Sequence, residues 1–297
     1  MADQNAILSA FQNGEILFAD DMPQNEIDAW RDSEEFYLQG QLGTYFVVFN
    51  TKEEPFDDPK VREALSLAID RNFIVEQIGK AGQQPAGAFV PTGLSDVDPE
   101  QEFRTVGGEY YSVASEDYEK NLEEAKKLLA EAGYPDGKGF PKIEYMYNDG
   151  SGHGEIGEAL QNMWKEGLGL ETELAMQEWA VFIETRNSGN FEVARHGWLG
   201  DYNDPISFLD MWTTTSGNND ADWSNAEYDK LITGIKSSSD RAERMTMMHK
   251  AEDILMAEMP VAPIYYYVDI YLQSSKLEGV YSSPLGFKNF THASVTK

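Results

Sequence analysis

From residue 141 the chain alternates short apolar runs with longer amphipathic ones. The runs at 142–147, 170–176 and 191–197 read as strands, and the segments 155–167, 179–186 and 205–212 read as helices. The connections between them are only a few residues long. A parallel neighbour can be reached only by a crossover, and here each crossover is a helix. The alternation therefore predicts an α/β fold, with a mostly parallel sheet flanked by helices.

The rest of the chain fits around this unit. Residues 43–50 are apolar, β-branched and aromatic, the composition of a buried strand. Asp58 precedes Pro59, an N-cap followed by the first helical position, and Val61, Ala64, Leu65, Ala68 and Ile69 make one helical face. A short helix at 72–78 is stopped by Gly79 and Gly82. Residues 82–114 read as a long loop that Phe89, Val90, Phe103 and Tyr110 can pin down. A helix from Ser115 ends at Gly133. Helices at 225–237 and 240–258, a strand at 261–268 and a tail rich in Gly and Ser complete the chain. At the other end, residues 5–30 read as helix, short strand and helix, with too few apolar residues to form a core alone.

The stretch 191–208 is the richest in chemistry. An apolar run leads into Gly197-Trp198-Leu199-Gly200-Asp201-Tyr202-Asn203-Asp204-Pro205, and a new apolar run follows. Strand, loop and helix in this order is how α/β proteins present binding groups at the carboxyl ends of strands. Within seven residues stand a forked cation (Arg195), a flat aromatic (Trp198) and a carboxylate (Asp201). An anion binder, an apolar wall and an ammonium binder are what a free peptide or amino acid requires. Each residue also has a structural reading: Trp198 in the core, Arg195 in a surface pair, Asp201 and Asp204 in turns and caps.

The segment Ala194-Arg195-His196-Gly197-Trp198-Leu199-Gly200-Asp201-Tyr202-Asn203-Asp204-Pro205 resembles the cleft motif of the oligopeptide-binding proteins of ABC transporters. Asn50-Thr51-Lys52-Glu53-Glu54-Pro55-Phe56-Asp57-Asp58-Pro59-Lys60-Val61-Arg62 resembles a signature of the wider extracellular solute-binding family 5, and Ala262-Pro263-Ile264-Tyr265-Tyr266-Tyr267-Val268 resembles its late strand. The resemblance implies a periplasmic-binding-protein-like lobe at 43–267 carrying half of a peptide cleft. A remnant of a first lobe at 1–42 and a return segment at 268–297 would supply partial pieces of the other lobe. It implies non-covalent capture of short peptides for an ABC importer, with permease subunits as partners. Members of the family are commonly about twice this length, exported and often lipid-anchored. The chain is therefore expected to be a C-terminal portion, extracytoplasmic when whole, meeting the membrane only through an anchor it lacks here. By the same resemblance Asp201 meets the peptide ammonium, and Arg195 takes a carboxylate or braces Asp201. Trp198 and Trp179 wall side-chain pockets, Tyr267 touches ligand, and Asn148 and His153 line the cleft. Another solute, such as a dipeptide, nickel chelate or opine, is the alternative within the class.

Composition and motif counts narrow the other classes. Lysine and arginine number 23 against 52 aspartates and glutamates, a net charge of −29. That argues against nucleic acid and anionic membrane surfaces as partners. Without cysteine there are no disulfides, thiolate metal sites or cysteine nucleophiles. His153, His196, His249 and His292 lack metal-binding spacing, and no grouping of nucleophile, base and orienting residue stands out. No enzyme, cofactor or metal is expected. One motif points elsewhere: Gly152, Gly154 and Gly157 follow the G-x-G-x-x-G pattern of dinucleotide-binding turns, the basis of a nucleotide-dependent alternative. Residues 148–151 separate it from the preceding strand, so the turn is not the tight one required.

Overall fold

The structure, a computed structural model, describes residues 3–150 and 152–296; Ser151, which precedes the glycine pattern in sequence, lies outside the described residues. In chain order, α1 (Gln4–Gln12), β1 (Phe18–Ala19) and α2 (Ile27–Trp30) lead into the long strand β2 (Phe36–Phe49). Then come α3 (Pro59–Leu67), α4 (Arg71–Phe73) running into a π-helical segment at Ile74–Gly79, β3 (Gln84–Pro85), α5 (Phe103–Gly107) and α6 (Tyr118–Glu131). The alternating unit is β4 (Ile143–Asn148), α7 (His153–Leu168), β5 (Thr172–Gln177), α8 (Trp179–Asn187), β6 (Val193–Leu199) and α9 (Ile206–Leu209). The helices α10 (Ala226–Ser237) and α11 (Arg241–Glu258) follow, and then the second long strand, β7 (Val261–Gln273).

Local chemistry sets these boundaries as expected. The Asp58 carboxylate accepts from the Lys60 N–H at 2.9 Å with Pro59 at the first position of α3. Asp240 caps α11 by accepting from Ala242 and Glu243. Gly169, with φ at +73°, ends α7 in a left-handed turn that a residue with a side chain would adopt only with strain.

The strands form one sheet in the order β1-β7-β2-β6-β4-β5, with β3 also paired to β7. The α/β class holds, but the sheet is not mostly parallel. Only β4–β5 and β4–β6 pair in parallel; β1–β7, β2–β7, β2–β6 and β3–β7 are antiparallel. The alternating unit delivers the parallel part. Its neighbours β2 and β7 are reached by long connections that impose no direction, and both take the antiparallel arrangement.

Strand alternation divides the core between the faces. Phe46, Val48, Met146 and Ala194 pack with Phe182, Phe208, Trp212, Met248 and Leu255 under α8 to α11. Tyr45, Val47, Phe49, Tyr145 and Val193 pack with Val61, Leu65, Leu129, Leu160 and Trp164 under α3, α6 and α7. A third, small cluster joins Leu8, Phe11, Ala19, Met22 and Ile27 to Ala81 and Leu272. The terminal segment thus completes its core with residues borrowed from the rest of the chain. The long strands β2 and β7 run from the main sheet into this third cluster, and their register shifts between Gly40 and Thr44.

Candidate functional site

Since β5 and β6 lie on either side of β4, the crossovers after β4 and β5 pass over opposite faces. The carboxyl ends of these strands open at one edge, the place where α/β sheets bind ligands. Asn148 ends β4, His153 begins α7, Trp179 begins α8, and Arg195 and Trp198 lie in β6 with Asp201 just beyond. Tyr267 of β7 reaches the same edge. Its hydroxyl stands 2.3 Å from where a Cβ on Gly197 would be, and its ring 2.9 Å from a Cβ on Gly43. Two glycines on neighbouring strands thus make the seat for one tyrosine.

Arg195 is half-buried. Its guanidinium carbon lies 5.4 Å from the centre of the Tyr45 ring, and its Nε has no hydrogen-bond partner. The titratable groups that act on it electrostatically are the hydroxyls of Tyr45, Tyr267, Tyr265 and Tyr145. Among the described residues no carboxylate pairs with it, whereas the buried Arg104 and Arg186 are paired with Glu252 and Asp220 at 2.6 Å each. Burial lifts the Tyr45 hydroxyl well above the usual tyrosine range. Burial first, and Arg195 second, lower His153 to about 3. At neutral pH the cage therefore holds one charge, the arginine. His153 Nδ1 is 3.2 Å from the Tyr45 hydroxyl, and the two rings stack with centroids 5.6 Å apart.

The structure does not gather the predicted residues into one loop. β6 stays extended to Leu199 because Gly43 pairs with Leu199 and Thr44 with Trp198. Arg195 and Trp198 therefore project from opposite faces. Trp198 packs against the α8-side core, and its indole N–H donates to the Ser207 carbonyl at 2.7 Å. Asp201 lies past the strand end and is exposed; its backbone N–H donates to the Ser207 hydroxyl at 2.9 Å. Arg195 does not brace it: no ion pair joins them among the described residues. Trp179 is half exposed and stacks on Phe182 at 6.1 Å. Asn148 is buried at the end of β4. Asp204 plays the capping part read from the sequence, accepting from the Ile206 N–H at 3.1 Å, and also pairs with Arg244 at 3.0 Å. Tyr265 is a core residue stacked on Tyr45 at 4.8 Å.

Tyr45 and Tyr145 were not foreseen as neighbours of Arg195. The available signal was parity: Tyr45 and Val47 share a face, and Val47 pairs with Arg195. The glycine pattern has local uses. Gly152, with φ at +74°, precedes α7 and lies against Gln24; a Cβ on Gly157 would touch Tyr145 and Leu174. A cavity of about 450 Å³ lies against α7 among Asp70, Phe73, Tyr118, Glu158 and Met163, and none of the predicted site residues lines it. Size alone does not make it the site, since the unpaired cation and the strand ends lie elsewhere.

The strand ends thus carry Arg195, with no carboxylate partner among the described residues, the half-exposed Trp179 and the exposed Asp201. Residues 1–220 match the bacterial extracellular solute-binding proteins, family 5, middle region, and the chain belongs to this family. It is 34% identical over 296 residues to the oligopeptide-binding protein OppA of Bacillus subtilis, covering 98% of this chain and 53% of that protein. It is 37% identical over 234 residues to the periplasmic oligopeptide-binding protein OppA of Salmonella typhimurium, covering 78% and 41%. Among solved structures, Haemophilus influenzae OppA in complex with RPPGFSPFR superposes with a TM-score of 0.80 at 30% identity, over 93% of this chain and 53% of that one. The Escherichia coli murein tripeptide binding protein MppA gives 0.80 at 34%, over 92% and 52%. The chain thus spans about half the length of the relatives it matches. No helix among the described residues is long and apolar enough to cross a membrane.

Proposed function

We propose that this chain contributes one wall of a cleft that captures short peptides, as the substrate-binding component of an ABC importer. The observation that carries the reading is Arg195, a half-buried cation whose Nε is shut off from solvent and which has no carboxylate partner among the described residues, held near the carboxyl ends of the parallel strands. Burying an unpaired charge is costly, and a ligand carboxylate is the group that would complete it. The family and the peptide-binding names of the relatives agree with this.

In this reading the peptide lies extended along the edge and is bonded through its main chain, a part of the recognition that is the same whatever its side chains. Arg195 takes a carboxylate, with neutral His153 and Tyr267 beside it. Asp201 takes the ammonium. Trp179 and Trp198 wall pockets on the α8 side, and Asn148 stands between the strand ends. Binding is non-covalent, without cofactor or chemical step. Residues 43–267 form the lobe, and residues 1–42 and 268–297 belong with a second lobe. The register shift near Gly40 and the separate third cluster support that division. Permease subunits of the importer are the partners, and the site of action is outside the cytoplasm.

Titration of the chain with tri- to pentapeptides, followed by tryptophan fluorescence and NMR, tests the proposal. Free peptides should bind, weakly because one wall acts alone, and amidation of their C-terminus should weaken them further. Saturable binding of NAD or ATP, with no response to peptides, would replace this reading by the nucleotide one.

A further inference from the structure

We propose that Gln177, together with Asn148, forms an accepting shelf that selects peptides with a side-chain amide or ammonium at one position; this rests on the peptide-binding reading above. The two residues are partners in the parallel ladder between β4 and β5, each the last of its strand, and the Asp149 N–H donates to the Gln177 carbonyl at 3.0 Å. Both share the face of Met146 and Ala175, which pack in the α8-side core. The Asn148 side-chain N–H donates to the Asp149 carbonyl at 2.8 Å, which fixes the orientation of its amide. Its Oδ1 is buried and accepts nothing, and the same is true of the Gln177 Oε1. Unsatisfied buried acceptors are rare in folded chains, and two on adjacent strand ends at a ligand-binding edge call for a donor from outside.

The neighbouring histidine does not supply one. His196, on the same face of β6, accepts from the Gly197 N–H at Nδ1 and turns Nε2 to Asp220 at 3.1 Å. The two residues face each other on adjacent strands, about 4.8 Å apart at the backbone, and a group with two or three N–H donors can serve two acceptors at once, whereas a main-chain N–H serves one. Trp179, two residues after Gln177 and half exposed, offers a face on which a flat amide or a cation can rest. The chemistry therefore favours asparagine, glutamine or lysine side chains over apolar ones.

The test compares tri- to pentapeptides that carry Asn or Lys at one position with partners that carry Leu or norleucine there, using the unmodified chain and Gln177→Met. At one position the donor-bearing member should bind about tenfold more tightly, and in Gln177→Met the ratio should shrink to within about twofold while the apolar peptide is unaffected. An unchanged ratio, or equal loss for every peptide, overturns the shelf. The ligand-free chain gives a second reading. Removing an acceptor that has no partner should leave the Tm unchanged or raise it. A lower Tm would show that Gln177 bonds within the chain, and would sink the proposal whatever the peptides do. If no peptide binds the unmodified chain while the Tm behaves as expected, it is the peptide reading that fails, and with it the ligand assigned to the shelf.

Discussion

Replacing Arg195 by methionine should separate binding from stability. The titratable groups that act on the guanidinium are tyrosine hydroxyls, and it has no acidic partner among the described residues, so its removal strands no carboxylate there. Methionine roughly fills the stem volume. The ligand-free variant should therefore unfold within about 1 kcal/mol of the parent, or above it, since replacing buried charge by well-packed apolar atoms is often neutral or stabilising. Arg104→Met is the contrast. It leaves Glu252, fully buried, without its partner at 2.6 Å, and breaking such a pair costs about 3–5 kcal/mol. Binding should move the other way. A charge-assisted hydrogen bond contributes about 1.5–3 kcal/mol, so Arg195→Met should weaken peptides with a free C-terminus by roughly ten- to a hundredfold, and their amides far less. Urea denaturation of both variants and paired titrations with acid and amide forms supply the numbers. If Arg195→Met is as destabilising as Arg104→Met, or if acid and amide peptides lose equally, the arginine is a structural element of the core and the reasoning is refuted.

Acidification should destabilise the fold through two histidines. Burial lowers His153 to about 3 and His196 to about 4. The unfolded chain therefore takes up protons that the folded chain refuses as the pH falls from about 6.5 toward those values, and stability falls by up to about 1.4 kcal/mol per pH unit for each histidine. Thermal melts at pH 7, 6 and 5 check the slope, and His153→Gln should flatten it; a slope unchanged by that substitution would contradict the assignment. Gly197→Ala should displace Tyr267 by placing a methyl group 2.3 Å from its hydroxyl, visible as changed tyrosine ring shifts and weaker peptide binding; unaltered shifts would count against the seat. Asp201→Asn should weaken free peptides only about one- to fivefold, because exposed pairs contribute about 0–1 kcal/mol, and should leave N-acetylated peptides unaffected; equal loss for both forms would make Asp201 a structural residue.

Periodicity and end chemistry made much of the fold legible. The 142–212 alternation, the Asp58 and Asp204 caps and the apolar faces of α3 and α6 could all be read locally. Family 5 membership was also visible in the run around Trp198. The direction of β2 and β7 was not, because their long connections permit either sense and tertiary pairing decides. The split between Arg195 and Trp198 was hidden for a related reason. Glycines at 197 and 200 suggest a turn, but pairing with Gly43 and Thr44 keeps the backbone extended through Leu199, and parity then parts the two side chains. The tyrosine cage and the Asn148–Gln177 shelf depend on neighbours distant in sequence, which a single sequence does not reveal.

The long strand β2 has a consequence for how the protein is made. Residues 42–49 are all buried, yet they pair only with β6 and β7, which leave the ribosome much later. At about 5–20 residues per second, this run waits on the order of ten seconds or more for its last partner. During that interval it is an apolar β-former with both edges open, the kind of segment that joins to other chains. Tyr45 to Phe49 is therefore the run of the nascent chain most open to mispairing, and slowing synthesis between residues 50 and 260 should increase aggregation without changing the finished fold.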